Sequence, residues 1–272
     1  SLVNRFQDEI LTMFYSYIGW ERDILKELED LGGPGTRKQA LSRIQNRDIA
    51  PERLVQVDGL AEQWQAKIKD IKSLLEAGES SDACRRAREL HTHAPDVHDG
   101  MMSRIAALLS ILYENYGEDV LAKLLDKVIR PEMMDPDGKL PFREKVEKIM
   151  HFARVHLLPF KVVEDDEKVT FMPDPCPSGA RLIRGGHYET PRNGAYVKEP
   201  GPLTYGRKDL PVYCCHERAM EISSIRKHGV PIFIVDPPED IGVTPCKVYI
   251  YKNPQDILRF TTIVWVSVNR TI

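Results

Sequence analysis

Apolar residues recur at three- and four-residue steps through roughly the first 155 positions of this chain and then stop doing so. That change of period constrains the fold most. Phe6, Ile10, Leu11, Phe14, Ile18, Ile24, Leu25 and Leu28 predict one helix over residues 3–31. Gly32-Gly33-Pro34-Gly35 ends it, because glycine accepts a left-handed cap and proline cannot continue a helix. A short helix follows from Thr36 to about Gln45. Another starts at Pro51, with Leu54, Val57, Leu60, Trp64, Ile68, Ile71 and Leu75 at helical spacing. After a break at residues 78–82, a short helix carries Cys84 and Leu90. Pro95 makes His91–Asp99, with three histidines, read as a polar connection. Asp99 then caps a helix whose face is Met102, Ile105, Leu108, Leu109, Leu112 and Tyr113, and which Gly117 ends. Further helices are expected over 118–129 and 141–156, with a loop at 131–138 between them.

These stripes read as core packing, which predicts a helical domain over residues 1–156. The aromatic group Phe14, Tyr15, Tyr17 and Trp20 reads as core too, with a pocket wall or a homodimer face as the alternatives. After His156 the pattern alternates, and proline and glycine become dense. Strands are expected within 157–163, 168–172, 232–236, 246–251 and 263–268, and a helix from the 211–217 region to about His228. The acidic run Glu164–Glu167 reads as a hairpin tip. The fold class is therefore α+β, with a mostly antiparallel second domain over residues 157–272.

A net charge of −3 lacks the basic excess of nucleic-acid binders. No apolar run approaches the ~20 residues of a membrane span, and the N-terminal residues show no secretory pattern, so the expectation is a cytoplasmic protein with neither nucleic acid nor membrane as partner. In that compartment clustered cysteines more often bind metal or catalyse than form disulfides, and five cannot all pair.

Four of the five, Cys176, Cys214, Cys215 and Cys246, lie in the second half. Cys214 and His216 are two apart, so in an extended segment both side chains point the same way. Cys176, Cys214, His216 and Cys246 then make a set of three thiolates and one imidazole that suits zinc or another transition metal, although the spacing is not that of a zinc finger. A second reading is a metal-free nucleophile. A helix N-terminus lowers a thiol pKa, and His216 and Glu217 supply a base and an orienter for Cys214 or Cys215. A third is that these are small buried hydrophobes. Between them, Arg181 and Arg184 suit an anionic group, His187 suits a proton shuttle, and Gly185-Gly186 lets backbone approach a ligand.

Four motifs carry a resemblance: Glu164 to Lys168, Pro175 to Leu182, Tyr213 to Glu217, and Pro245 to Asp256. Over these residues the chain resembles a bacterial family of uncharacterised proteins with the patterns Pro-Cys-x-Ser-Gly-x-Arg-Leu and Tyr-Cys-x-His-Cys. It departs at Glu217, where that pattern has cysteine, and at Ala180, where it has glycine. The resemblance implies no activity. It singles out Cys214 and His216 rather than Cys215.

The functional expectation is a metal-dependent enzyme of hydrolase or lyase type acting on a small polar or anionic molecule, with His98 and His156 reaching towards the substrate. The alternative from another class is a zinc-stabilised binding or regulatory protein, whose metal would have four protein ligands and no open position.

Overall fold

The computed structural model describes residues 2–46, 59–156, 159–190, 192–253 and 256–257. The expected helix start at Pro51 and the expected strand at 263–268 lie outside them. The helices are α1 (Leu2–Gly32), α2 (Pro34–Asn46), α3 (Leu60–Glu76), α4 (Ser80–Val128), α5 (Phe142–Val155), α6 (Gly179–Arg184) and α7 (Cys215–His228). The strands are β1 (Phe160–Glu164), β2 (Lys168–Pro173), β3 (Tyr196–Val197), β4 (Leu210–Pro211), β5 (Ile234–Asp236) and β6 (Lys247–Tyr251). The α+β class stands. The chain does not divide by one cut at 156, however. One compact unit is Ser1–Leu108 with Arg154–Leu157, and the other is Leu109–Ala153 with Leu158–Ile272.

In the first unit most of the predicted stripes become core, but Leu75 and Tyr15, expected there too, are exposed at the helix surface. Ile10, Phe14, Ile24 and Leu28 of α1 are buried, as are Trp64, Ile68 and Ile71 of α3. Phe14 meets Trp64 edge-on with ring centroids 5.2 Å apart. Glu21 is buried in α1 and takes both ends of the Arg104 guanidinium, so its charge is compensated. Gly33, at φ 83°, makes the left-handed turn between α1 and α2 that the sequence predicts.

One expectation fails here. Residues 91–99 are not a connection: α4 runs helically through Pro95. Proline removes one intrahelical hydrogen bond, but Leu90, Ala94, Val97, His98, Met101, Met102 and Ile105 are all buried along this stretch and hold it in register. Asp99 is therefore inside the helix and not its cap. The real break comes at Gly117, whose φ of 81° and ψ of −175° are not helical.

In the second unit β1, β2, β6 and β5 form an antiparallel sheet in that order. The acidic run is the β1–β2 turn, where Asp165 Oδ1 accepts from the amides of Glu167 and Lys168 at 2.9 and 2.8 Å. A second pairing joins β3 to β4. The Ser110 hydroxyl accepts from the Ala195 amide at 2.9 Å, and the Tyr113 hydroxyl accepts from the Lys198 amide at 3.2 Å. These bonds seat β3 on the C-terminal part of α4. Helix α7 carries a buried ion pair, Arg218 with Glu221. Glu221 Oε1 also accepts from the Val235 amide at 2.7 Å, and Arg218 Nε donates to Pro202 O at 3.1 Å. One helix thus holds both β5 and the 202–204 turn. No helix among the described residues is long and apolar enough to cross a membrane.

Candidate thiol centre

All five cysteines are free thiols. Three of those singled out in the sequence come together. Cys176, Cys214 and Cys246 each lie within electrostatic range of the other two. Each also lies within range of Glu217.

Local structure explains how each arrives. Cys176 sits in a turn closed by its own carbonyl, which accepts from the Arg181 amide at 3.1 Å. The amides of Ser178, Gly179 and Ala180 donate to its sulfur, a cradle that favours thiolate. Gly179 is needed for this packing, since a Cβ there would lie 2.5 Å from Cys214 Sγ. Cys214 closes a 3-10 turn (Val212–Cys214) that runs directly into α7. Cys246 follows a loop held from both sides. Arg207 donates to the carbonyls of Pro237, Pro238 and Glu239, and Arg184 donates to those of Gly242 and Val243 at 2.6 and 3.1 Å.

The structure places the fourth expected ligand, His216, against Glu217. Residues 212–217 are helical rather than extended, so Cys214 and His216 are turned about 200° apart, whereas residues three apart share a face. That places Glu217, and not His216, beside Cys214. His216 Nδ1 lies 2.6 Å from Tyr213 O, and its Nε2 lies 3.1 Å from Glu217 Oε1. The sequence held the signal, in the Cys214-x-x-Glu217 spacing and in the cysteine that the resembling family has at this position.

Cys176, Cys214 and Cys246 keep part of their residue surface exposed, yet surrounding atoms desolvate each thiol. Burial raises Cys176, against the pull of its amide cradle. Burial, then the neighbouring Cys176 and Cys246, push Cys214 well above the ordinary thiol range. Burial, then Cys176 and Glu217, push Cys246 up to about 12. Cys215 is fully buried, and burial raises it too. The lowering expected at a helix N-terminus does not prevail, because desolvation of a buried thiolate is the larger effect. Three thiols and a carboxylate held close together favour protonation, and Arg207 opposes this only in part at Cys246. As their side chains stand, no group of three or more His, Cys, Asp or Glu among the described residues is arranged to hold a metal ion.

The remaining candidates fall in different places. Arg184 is the clamp on residues 242–243 and also meets Asp174 at 3.4 Å, so its fork is used within the fold. Arg181 lies in α6 and links to the Cys176 turn through its amide. His187 is 2 % exposed and packs on Tyr188 with centroids 5.5 Å apart. His98 and His156 belong to the first unit, with ring centroids 5.8 Å apart. Compared with family models, with curated proteins and with solved structures, the chain matches none.

Proposed function

We propose that the second unit is a zinc-stabilised binding or regulatory module, with zinc held by Cys176, Cys214, Cys246 and Glu217. The observation that carries this reading is the convergence of three thiols from three separate segments on one carboxylate. Each of these buried thiols resists ionisation on its own. A cation reverses that balance, because zinc binds thiolates directly and releases their protons.

Four protein donors fill a tetrahedral zinc shell and leave no position for water, which supports a structural metal rather than a hydrolase or lyase at this centre. Arg184 is spent on the loop before Cys246, which also weakens the case for an anion site in the same place. A reducing compartment such as the cytoplasm would keep the thiols available.

The test is metal analysis of the full chain purified without chelator, repeated on Cys176→Ser, Cys214→Ser, Cys246→Ser and His216→Gln. The reading predicts about one equivalent of zinc, as in closed four-ligand sites, that each serine substitution removes and His216→Gln keeps. A metal-free protein, or a zinc content that none of the three serine substitutions lowers, would end it.

A further inference from the structure

The first unit contains a second group of side chains with ligating chemistry, and nothing in the thiol centre uses it. His98 on α4 is 0 % exposed. His156, just beyond α5, is half-buried. Their ring centroids are 5.8 Å apart at an interplanar angle of 73°. The Tyr17 ring of α1 stands against both, with centroids 5.6 Å from His98 and 5.9 Å from His156. Three elements far apart in sequence thus bring two imidazoles and a phenol together.

A carboxylate orients one of them. His98 Nδ1 lies 2.9 Å from Asp99 Oδ1. A carboxylate can only accept, so Nδ1 carries the proton and the lone pair of a neutral ring is on Nε2. A ligating histidine is commonly held this way, with its second nitrogen donating to a carboxylate. The separation also fits. A metal about 2.0–2.1 Å from each ring nitrogen puts each ring centroid about 3.2 Å from the ion, so two rings sharing one ion have centroids at most about 6.4 Å apart. The observed 5.8 Å lies inside that limit.

We infer that His98 and His156 bind one transition-metal ion of the zinc, cobalt, nickel and copper class, beside the Tyr17 ring that packs against both. Asp99 is the positioning residue that fixes the His98 tautomer. The site is separate from the thiol centre and does not rest on that reading.

Cobalt(II) is the probe, titrated into the full-length chain and followed by absorption and by bound stoichiometry. Thiolate ligation gives intense sulfur-to-cobalt charge transfer, whereas ligation by imidazole gives weaker bands without it. His156→Gln is expected to remove one bound equivalent while leaving any charge-transfer band unchanged. Asp99→Asn, at a partly exposed position, is expected to weaken that same equivalent about 10- to 100-fold. If the thiol reading fails but this one holds, charge transfer is absent and the equivalent sensitive to residue 156 remains. Equal cobalt stoichiometry and affinity in the parent, His156→Gln and Asp99→Asn would overturn the inference and leave the three rings as aromatic core packing. Should His156→Gln not fold, Asp99→Asn decides alone.

Discussion

The two compact units are built on different physics. The helical unit buries long apolar faces, and among its described residues the buried polar side chains are Glu21 and His98. The other unit has strands of two to six residues. Its buried polar side chains include Asp135, His187, Arg218 and Glu221 alongside several hydroxyls. That unit also buries an apolar core, with Leu112, Leu121, Leu125, Phe171 and Ile250 among it, and adds specific polar links to it: Arg207 and Arg184 on the 237–243 loop, and Arg218–Glu221 on β5. The lesson is where each unit is vulnerable. The first should lose stability in proportion to the apolar volume removed. The second should fail when one partner of a pair is taken away.

Four single substitutions and one double variant break or sharpen that contrast. The largest expected effects are a matched pair. Trp64→Ala, at a position 1 % exposed, should cost about 3–5 kcal/mol, as truncation of a buried aromatic does. Hydrogen exchange should show that loss in the helical unit, with the zinc content unchanged. Arg218→Met should cost a similar ~3–5 kcal/mol, because it breaks a buried pair: Glu221, which burial already pushes up to about 7, loses the partner that favours its carboxylate and must take up a proton. It should loosen α7, β5 and the 202–204 turn. Adding Glu221→Leu to it should restore much of the loss, since an apolar pair can replace a buried ion pair with little penalty. No rescue in the double variant would show that the unit does not depend on pairing in this way.

Asp135 gives a smaller effect with a pH signature. It is fully buried and meets Lys145 Nζ at 3.0 Å and the Leu140 amide at 3.2 Å. Burial raises its pKa, but the Lys145 pair and the Leu140 amide outweigh that and leave it below the ordinary aspartate value. A depressed folded value means the folded state holds fewer protons than the unfolded one. This stabilisation is therefore present above the unfolded aspartate pKa of about 3.9 and is lost as pH falls through the folded value. Asp135→Asn should cost about 1.5–3 kcal/mol at neutral pH, the range for hydrogen bonds to charged groups. The difference from the parent should shrink in acid denaturation curves. A constant difference down to the acid limit would contradict the assignment. The smallest expected effect is that of Gly179→Ala. Its added methyl group meets Cys214 Sγ, at about 1–3 kcal/mol for overpacking, and zinc affinity should fall with it.

The helices were legible because a 3.6-residue period persists for many turns, and α1 and α5 lie within a residue or two of their predicted bounds. Pro95 misled because a local rule about proline was overridden by the buried stripe from Leu90 to Ile105, which only tertiary packing reveals. The members of the thiol centre were legible as residue types, but not their geometry. Cys176, Cys214 and Cys246 are successively 38 and 32 positions apart, and no periodicity reports on such contacts. The exchange of His216 for Glu217 turns on one local fact, the early start of the helical turn at Val212. Read as extended, the segment pairs positions 214 and 216; read as helical, it pairs 214 and 217. Arg184 could not be recognised as a clamp because its acceptors are main-chain carbonyls 58 and 59 positions away.

The most direct test of the thiol centre is X-ray absorption at the zinc edge on the zinc-loaded full chain. In the His156→Gln chain, which lacks the second proposed site, the account predicts three sulfur scatterers near 2.3 Å and one oxygen near 2.0–2.2 Å, with no imidazole scattering there or when His216→Gln is added. A first shell of nitrogen and oxygen alone, or an imidazole signal that disappears in His216→Gln, would contradict it.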